Sequence, residues 1–499
     1  GVVTDDGVRR HGAIPDEGAE FRRRQQLIVE TPENPQRWEA LCGERGSLRS
    51  DIFRTLIWYE PKQLAPLTDI LRVHEYYYVQ KLQDLVEHLD PEDPYNKTAL
   101  DKNDTKVTPE SWEAALKAAA SVLEAVDLVV NETVRVAFCP IRPPGHHLGP
   151  AGATNSKDLD DDELTSQGFC LLNNVAIGAA YARCVHRDKI KKVAIIDFDV
   201  HHGNGTEAIV RNVCRRNHRD ASVQEVSIRG IRAKIVLDAP PTCKPWLDPK
   251  QDVEDIYFAS VHGYGKGFYP GSGPSSSSTA GIADQAEKAS VVPQIRNVTL
   301  KPEADSADFR SAFRRQVLPD LIEFKPDIIF VSSGFDGHED DLVAGRGLVE
   351  EDFSWVTQQL VAIANRFCEG RLVSVLEGGY NCRADGLSPF ARSVAAHVKA
   401  MMYTPSTRTF AEIETEEDEE QWFHKKDKAW CKARTEGKDT RLNGGRASTT
   451  GAQQDVAEVQ ARPPLVERLQ AAAAMALFQA ENPNEEALPD FDEEEEPAA

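Results

Sequence analysis

The sequence predicts an α/β fold: a single, mostly parallel β-sheet flanked by helices, with the active site at the C-terminal edge of the strands. Three observations carry this expectation. Five short apolar runs, rich in β-branched residues, have the near-continuous hydrophobicity of strands buried on both faces. Stretches with a helical period of about 3.6 residues lie between them. Every run ends in His, Asp, Tyr or close-turning Gly, and ligands of open α/β sheets lie beyond the carboxyl ends of the strands.

The strand candidates are residues 134–138, 193–196, 256–261, 328–332 and 372–376. Helices are expected over 112–129, Ala-rich and opened by Pro109-Glu110-Ser111, over 173–185 and over 353–367. Two segments break the alternation. Residues 212–254 are polar and charged, contain Pro240-Pro241, and read as a surface insert; the serines 275–278 read as a flexible loop. The expected organisation is a flexible N-terminus over 1–20, a catalytic domain over 21–405 and an acidic, largely disordered tail over 406–499. Acidic runs at 412–420 and 492–496 mark that tail, and 464–479 has the spacing of one amphipathic helix.

Composition narrows the function. The chain has 499 residues, 58 Lys+Arg against 81 Asp+Glu, and a net charge of −23. That balance argues against direct nucleic-acid binding and suits basic partners such as Lys-rich peptides. The 40 % hydrophobic content supports a sizeable core. No run of about 18 apolar residues is present, so no membrane span is expected, and the first residues lack a signal-peptide pattern. Nine scattered cysteines without a Cys-x-x-Cys pair read as reduced thiols, neither a disulfide framework nor a zinc-thiolate site.

The strand ends carry the chemistry. After the first run comes Arg142-Pro143-Pro144-Gly145-His146-His147, and after the second Asp197-Phe198-Asp199-Val200-His201-His202-Gly203-Asn204-Gly205. The third ends in Ser260-Val261-His262-Gly263, the fourth in Ser333-Gly334-Phe335-Asp336, the fifth in Glu377-Gly378-Gly379-Tyr380. Residues two apart on extended backbone face the same way, so Asp199 and His201 present an oxygen and a nitrogen to one point. Asp336 would complete three ligands and leave one position open, as in catalytic rather than structural metal sites. Zinc, manganese or iron would accept this donor set. His146 and His147 suit proton transfer, with Asp197 and Asn204 as orienting partners; an Asp partner favours imidazolium and an Asn partner does not. Tyr380 follows two glycines and is placed to donate a hydrogen bond to a developing oxyanion.

These motifs, together with Gly168-Phe169-Cys170 and Pro32-Glu33-Asn34-Pro35-Gln36-Arg37, resemble the zinc-dependent histone deacetylases, with the class II branch most similar through Pro143-Pro144-Gly145 and Asn204. The resemblance covers roughly residues 25–405. It implies an arginase/deacetylase-like fold and one Zn2+ per chain on Asp199, His201 and Asp336. It implies His147 as general base and acid, His146 as an electrostatic partner paired with Asp197, and Tyr380 as the carbonyl-polarising residue. Phe169 and Tyr269 match the aromatic walls of an acetyl-lysine tunnel, beside Gly168 and Gly379. Asp197, the backbone of Asp199, His201 and Val261, and the hydroxyl of Ser260 match a potassium site. Arg37 matches an arginine at the pocket floor, and Asp104 is the candidate for holding the substrate backbone.

Implied substrates are acetylated Lys-rich protein tails, histones among them, with co-regulator proteins on the C-terminal tail and a nuclear or cytoplasmic location. Two departures affect the pocket rim: the long stretch from Thr206 to Ser260, and the serines that replace a Gly-rich segment after Gly271-Ser272-Gly273. The alternatives are an acetylpolyamine or other small-amide hydrolase, a long-chain deacylase, and a non-catalytic scaffold. The presence of every metal ligand and of the tyrosine weighs against the scaffold.

Overall fold

The computed structural model describes residues 1–11, 32–90, 98–100, 105–154, 166–214, 222–228, 231–237, 243–275, 294–383 and 387–404. All belong to the unit Gly1–Lys428; the second unit, Ala429–Ala499, contains none of them. The expectations for the acidic tail, its helix, Asp104 and the serines 276–278 therefore lie outside the described residues.

Eight strands form the main sheet, numbered here in chain order: β1 (Val2–Val3), β2 (Trp58–Tyr59), β3 (Val136–Cys139), β4 (Val193–Asp197), β5 (Ile256–Gly263), β6 (Gln294–Leu300), β7 (Ile328–Ser333) and β8 (Leu372–Leu376). Their spatial order is β6-β5-β4-β7-β8-β3-β1-β2, and every pairing is parallel. All residues of β4, β5, β7 and β8 are buried. Both faces are thus covered, which is why these strands read as unbroken apolar runs. Five helices matter to the site: α1 (Ser111–Val130), α2 (Asn174–Val185), α3 (Asn204–Arg211), α4 (Glu350–Phe367) and α5 (Pro389–Tyr403). No described helix is long and apolar enough to cross a membrane.

The register aligns the site. Ser260 and Ser332 flank Asp197 on the neighbouring strands, so the carboxyl ends of β5, β4 and β7 finish level. Helix α2 begins where Asn173 caps it, accepting from the Ala176 N–H at 3.0 Å. The same side chain donates to the Leu148 carbonyl and to Thr206 Oγ1, each at 3.0 Å. One capping residue thus ties the loop after β3 to α3.

Two expectations are corrected. Residues 1–11 are not a loose tail: Val2 and Val3 are fully buried and β1 pairs with both β2 and β3. Two valines between polar neighbours give too short a signal to read, and their partners are supplied from residues far along the chain. The insert 212–254 is not all surface. Its residues 222–228 and 231–237 form an antiparallel pair separate from the main sheet, but Trp246 and Asp252 are buried. Asp252 accepts from the backbone N–H groups of Trp246 and Leu247 and pairs with Arg183 at 2.5 Å. A charged residue satisfied in this way reads as solvated when only the sequence is in view. Strand β6 was also missed, because Arg296 and Asn297 interrupt its apolar character at the sheet edge.

Candidate active site

The five strands with chemistry-bearing ends are contiguous in the sheet: β5, β4, β7, β8 and β3. Their loops bring the expected residues into one buried cluster. Ligand atoms of Asp199, His201 and Asp336 all lie within 4.8 Å of one another. Asp199 Oδ1 accepts from the His201 N–H at 2.9 Å, and its Oδ2 from the Gly378 N–H at 2.8 Å. Asp336 Oδ1 accepts from the Val200 N–H at 3.1 Å, and its buried Oδ2 lies 2.9 Å from His201 Nδ1. Position 378 must be glycine: a Cβ there would lie 2.3 Å from Asp336 Oδ2 and 2.6 Å from Asp199 Oδ2.

The three side chains of this cluster shift one another's protonation. Burial and the charge of Asp199 push Asp336 up to about 7. Burial works to lower His201, but Asp336 and Asp199 outweigh it and raise the imidazole to about 10. Two carboxylates and an imidazole, buried together with their donor atoms converging, fit a divalent metal ion in donor type and number.

The two adjacent histidines have opposite surroundings, with ring centres 4.0 Å apart. His146 Nδ1 lies 3.0 Å from Asp197 Oδ2 and His147 Nδ1 lies 2.7 Å from Asn204 Oδ1. Burial lowers His146, yet Asp199 and Asp197 overcome it and raise the ring to about 10. Burial, followed by the charges of His146 and His201, pushes His147 well below its ordinary value. The orientation of Asn204 is fixed, since its Nδ2 donates to Thr154 Oγ1 at 2.6 Å. His147 therefore carries its proton on Nδ1 and leaves Nε2 as the basic nitrogen.

Tyr380 is buried, and its backbone N–H donates to Asp341 Oδ2 at 2.7 Å. Burial and the charge of Asp336 push its phenol well above 10, so it stays a donor. Arg37 is fully buried; its Nε donates to the Gly379 carbonyl at 2.7 Å and its Nη2 to the Glu377 carbonyl. The guanidinium lies 5.1 Å from the Tyr380 ring centre. Phe169 meets Tyr380 edge to face at 5.6 Å, while Tyr269 meets His147 at 5.1 Å and His201 at 5.8 Å. Gly168 has φ +58°, and a Cβ there would lie 2.2 Å from the His147 ring. Gly379 likewise adopts φ +114° in the turn that Arg37 holds. Ser260, whose hydroxyl lies 2.8 Å from His262 Nδ1, and Val261 are buried beside the end of β4.

Sequence reasoning gave no role to several residues the site depends on. Glu377 is buried; its Oε2 accepts from the N–H groups of Gly145 (2.7 Å) and His146 (3.2 Å), and Oε1 from Ser332 (3.1 Å). Arg142 forms a two-pronged, buried pair with Glu33, both contacts at 2.7 Å. Phe268 stacks on His201, ring centres 5.5 Å apart and planes 11° from parallel. Glu377 and Arg142 already stand inside the motifs, and Phe268 precedes Tyr269, so adjacency to motif residues was the available signal.

A sequence model described as "Histone deacetylase domain" matches residues 31–401. The chain belongs to the histone deacetylase domain family. Among similar proteins, the type-2 histone deacetylase 2 of Dictyostelium discoideum is 32 % identical over 357 residues, covering 67 % of this chain and 18 % of that protein. The uncharacterised protein slr0245 of Synechocystis is also 32 % identical, over 374 residues, covering 74 % of this chain and 94 % of its own length. The chain thus spans less than a third of the type-2 histone deacetylases 1 and 2 of Dictyostelium (27 % and 18 %) but nearly all of the cyanobacterial protein. A crystal structure of the HDA15 HD domain shares the fold, with a TM-score of 0.57 at 23 % identity, covering 81 % of this chain and 90 % of that one.

Proposed function

We propose that this chain is a zinc-dependent lysine deacetylase that hydrolyses N-acetyl-lysine to lysine and acetate. The observation that carries the reading is the convergence of Asp199, His201 and Asp336 beside two adjacent histidines, one held by the Asp197 carboxylate and the other by the Asn204 amide. A divalent ion held by those three residues would supply Lewis acidity at the acetyl carbonyl and lower the pKa of water toward about 7. Neutral His147, with Nε2 free, accepts the water proton as the C–O bond forms. His146 stays cationic against Asp197 and adds fixed positive charge where negative charge develops. The Tyr380 phenol donates to the carbonyl oxygen as it gains charge. Protonated His147 then gives its proton to the lysine nitrogen as the C–N bond breaks, so the amine leaves neutral.

Phe169 and Tyr269 cover the lysine methylenes, worth ~0.8 kcal/mol for each one buried. Asp197, the hydroxyl of Ser260 and the backbone of Asp199, His201 and Val261 would hold a potassium ion that stiffens the end of β4. We extend the proposal to Lys-rich protein tails, histones included, as substrates, to the nucleus as a place of action, and to co-regulators as partners of the C-terminal tail. The test is acetate release from an acetyl-lysine peptide by zinc-loaded protein, beside acetylspermidine and a long-chain acyl-lysine peptide. Turnover of the acetyl peptide well above the other two is expected. Absence of any turnover with one zinc bound per chain would refute the reading.

A further inference from the structure

Arg346 differs from the other buried or half-buried arginines near the site. Arg37, Arg142 and Arg183 are each held by carboxylates or carbonyls. Arg346, half-buried in the loop between Asp336 and α4, is not. Its backbone N–H donates to the Gly337 carbonyl at 3.2 Å. Its Nε is buried without a hydrogen-bond partner, and among the described residues no carboxylate forms an ion pair with the guanidinium. Glu303 acts on it only at longer range. Only Nε is closed off in this way, so the Nη donors of a cation without a paired carboxylate remain for an incoming anion.

The position of the guanidinium says where that ligand sits. It lies over the Phe268 ring, 4.3 Å from its centre. Phe268 in turn stacks on His201. Tyr269, next in sequence and edge-on to His147 and His201, is 39 % exposed, so this side of the centre is the open one. Arg346 is therefore separated by one ring from His201 of the candidate metal cluster, on the side where Tyr269 is exposed.

We propose that Arg346 forms an anion subsite at the pocket mouth, taking a carboxylate that neighbours the acetyl-lysine in the substrate. The fork of N–H donors matches a carboxylate in two-pronged geometry. Two sources share that chemistry: an Asp or Glu side chain flanking the modified lysine, and the carboxylate of a chain that ends beside it. The subsite deepens the deacetylase reading and rests on it. It selects, among lysine-rich tails, those sites not flanked by further cations, and it disfavours polycationic small amides.

The experiment uses acetyl-lysine peptides flanked by Asp, Ala or Lys and amidated at the C-terminus, with a free-acid form of the Ala peptide as the fourth arm. Binding to the purified chain is read by fluorescence anisotropy, and turnover by zinc-loaded protein as kcat/KM. For the wild type, the Asp peptide should be favoured over the Lys peptide by about tenfold, the size of one charge-assisted hydrogen bond, and less at high salt. Arg346→Gln should bring the ratio toward parity, and Arg346→Lys should keep part of it at low salt. Preference for the free acid over its amide, lost in Arg346→Gln, would assign the chain-end source. An unchanged ratio in Arg346→Gln overturns the subsite, as does a wild-type preference for the Lys peptide, which would hand control to the exposed Glu339 and Asp340 of the same loop. Failure of all peptides to turn over, with the binding preference intact, would remove the deacetylase reading and leave the anion subsite standing.

Discussion

The floor of the site and its outer wall are built by opposite means. On the floor, Glu33, Arg37, Arg142 and Glu377 are buried and hold one another or the turns that carry His146, His147 and Tyr380. On the outer wall, Phe268 stacks on His201, Arg346 lies over Phe268, and the half-exposed Tyr269 meets His147 and His201 in T-shaped contacts. The floor fixes positions to which the chemistry is sensitive. The wall offers area and charge, which select substrate without fixing the reacting atoms. Changes on the floor should therefore appear in kcat and stability, and changes on the wall in KM.

The largest effect belongs to the cluster between the two. Asp336→Asn removes one carboxylate of the proposed metal site and leaves a buried amide in its place. Zinc content should fall from one per chain, and turnover by on the order of 10³ or more, given that the ion supplies several kcal/mol to the transition state. Chelation of the wild type should reproduce the loss, and added zinc should restore the wild type but not the variant. Retention of full activity with no bound metal would break the comparison at its centre.

Tyr380→Phe comes next. It removes the hydroxyl that the proposed reaction uses as a donor while keeping the ring contacts with Phe169 and Arg37. The expected loss is ~10²–10³ in kcat, with KM little changed. Equal rates would take Tyr380 out of the reaction.

Arg142→Leu tests the floor through stability. Removing Arg142 leaves the buried Glu33 with only its longer contacts to Arg37 (3.4 Å) and His11 (3.6 Å), at a cost of about 3 kcal/mol by denaturant unfolding. The pair also gives a pH signature. Burial works to raise Glu33, but Arg142 and His11 outweigh it and hold the carboxyl at about 2, against its ordinary 4.5. A lowered folded-state pKa means the unfolded chain binds the proton first. The stability Glu33 contributes is complete above pH 4.5 and is lost as pH falls toward 2. Glu33→Gln should flatten the unfolding profile in that window and leave the profile above pH 5 parallel to the wild type.

This division also explains what could be read from the sequence. The five central strands and three of the helices were legible because burial leaves uninterrupted apolar runs, and the candidate metal cluster because Asp199, His201 and Asp336 directly follow strand ends, although Asp199-Val200-His201 lies in a bend beyond β4 rather than on extended backbone. The short strands Val2–Val3 and Trp58–Tyr59 were not legible, since two residues carry no period and their pairing comes from distant chain. Asp252 was read as solvent-facing because its partner Arg183 lies 69 residues away. The floor was half legible: Arg142 and Glu377 stand inside motifs, but the pairing with Glu33 and the hold on Gly145 are properties of the folded chain. Arg346 left no mark in the sequence, because an unpaired arginine reads like a paired one.

The smallest effect expected is on the wall. Tyr269→Ala removes a ring that is 39 % exposed and meets His147 and His201 in T-shaped contacts, so the unfolding midpoint should stay near that of the wild type. What goes is apolar cover for the substrate. Exposing about two lysine methylenes costs ~1.6 kcal/mol, which should raise KM roughly tenfold with kcat largely kept. Tyr269→Phe, which keeps the ring, should restore most of the affinity. A fall in kcat without a change in KM would instead place Tyr269 with the floor, as a residue that positions His147 or His201 rather than one that covers substrate.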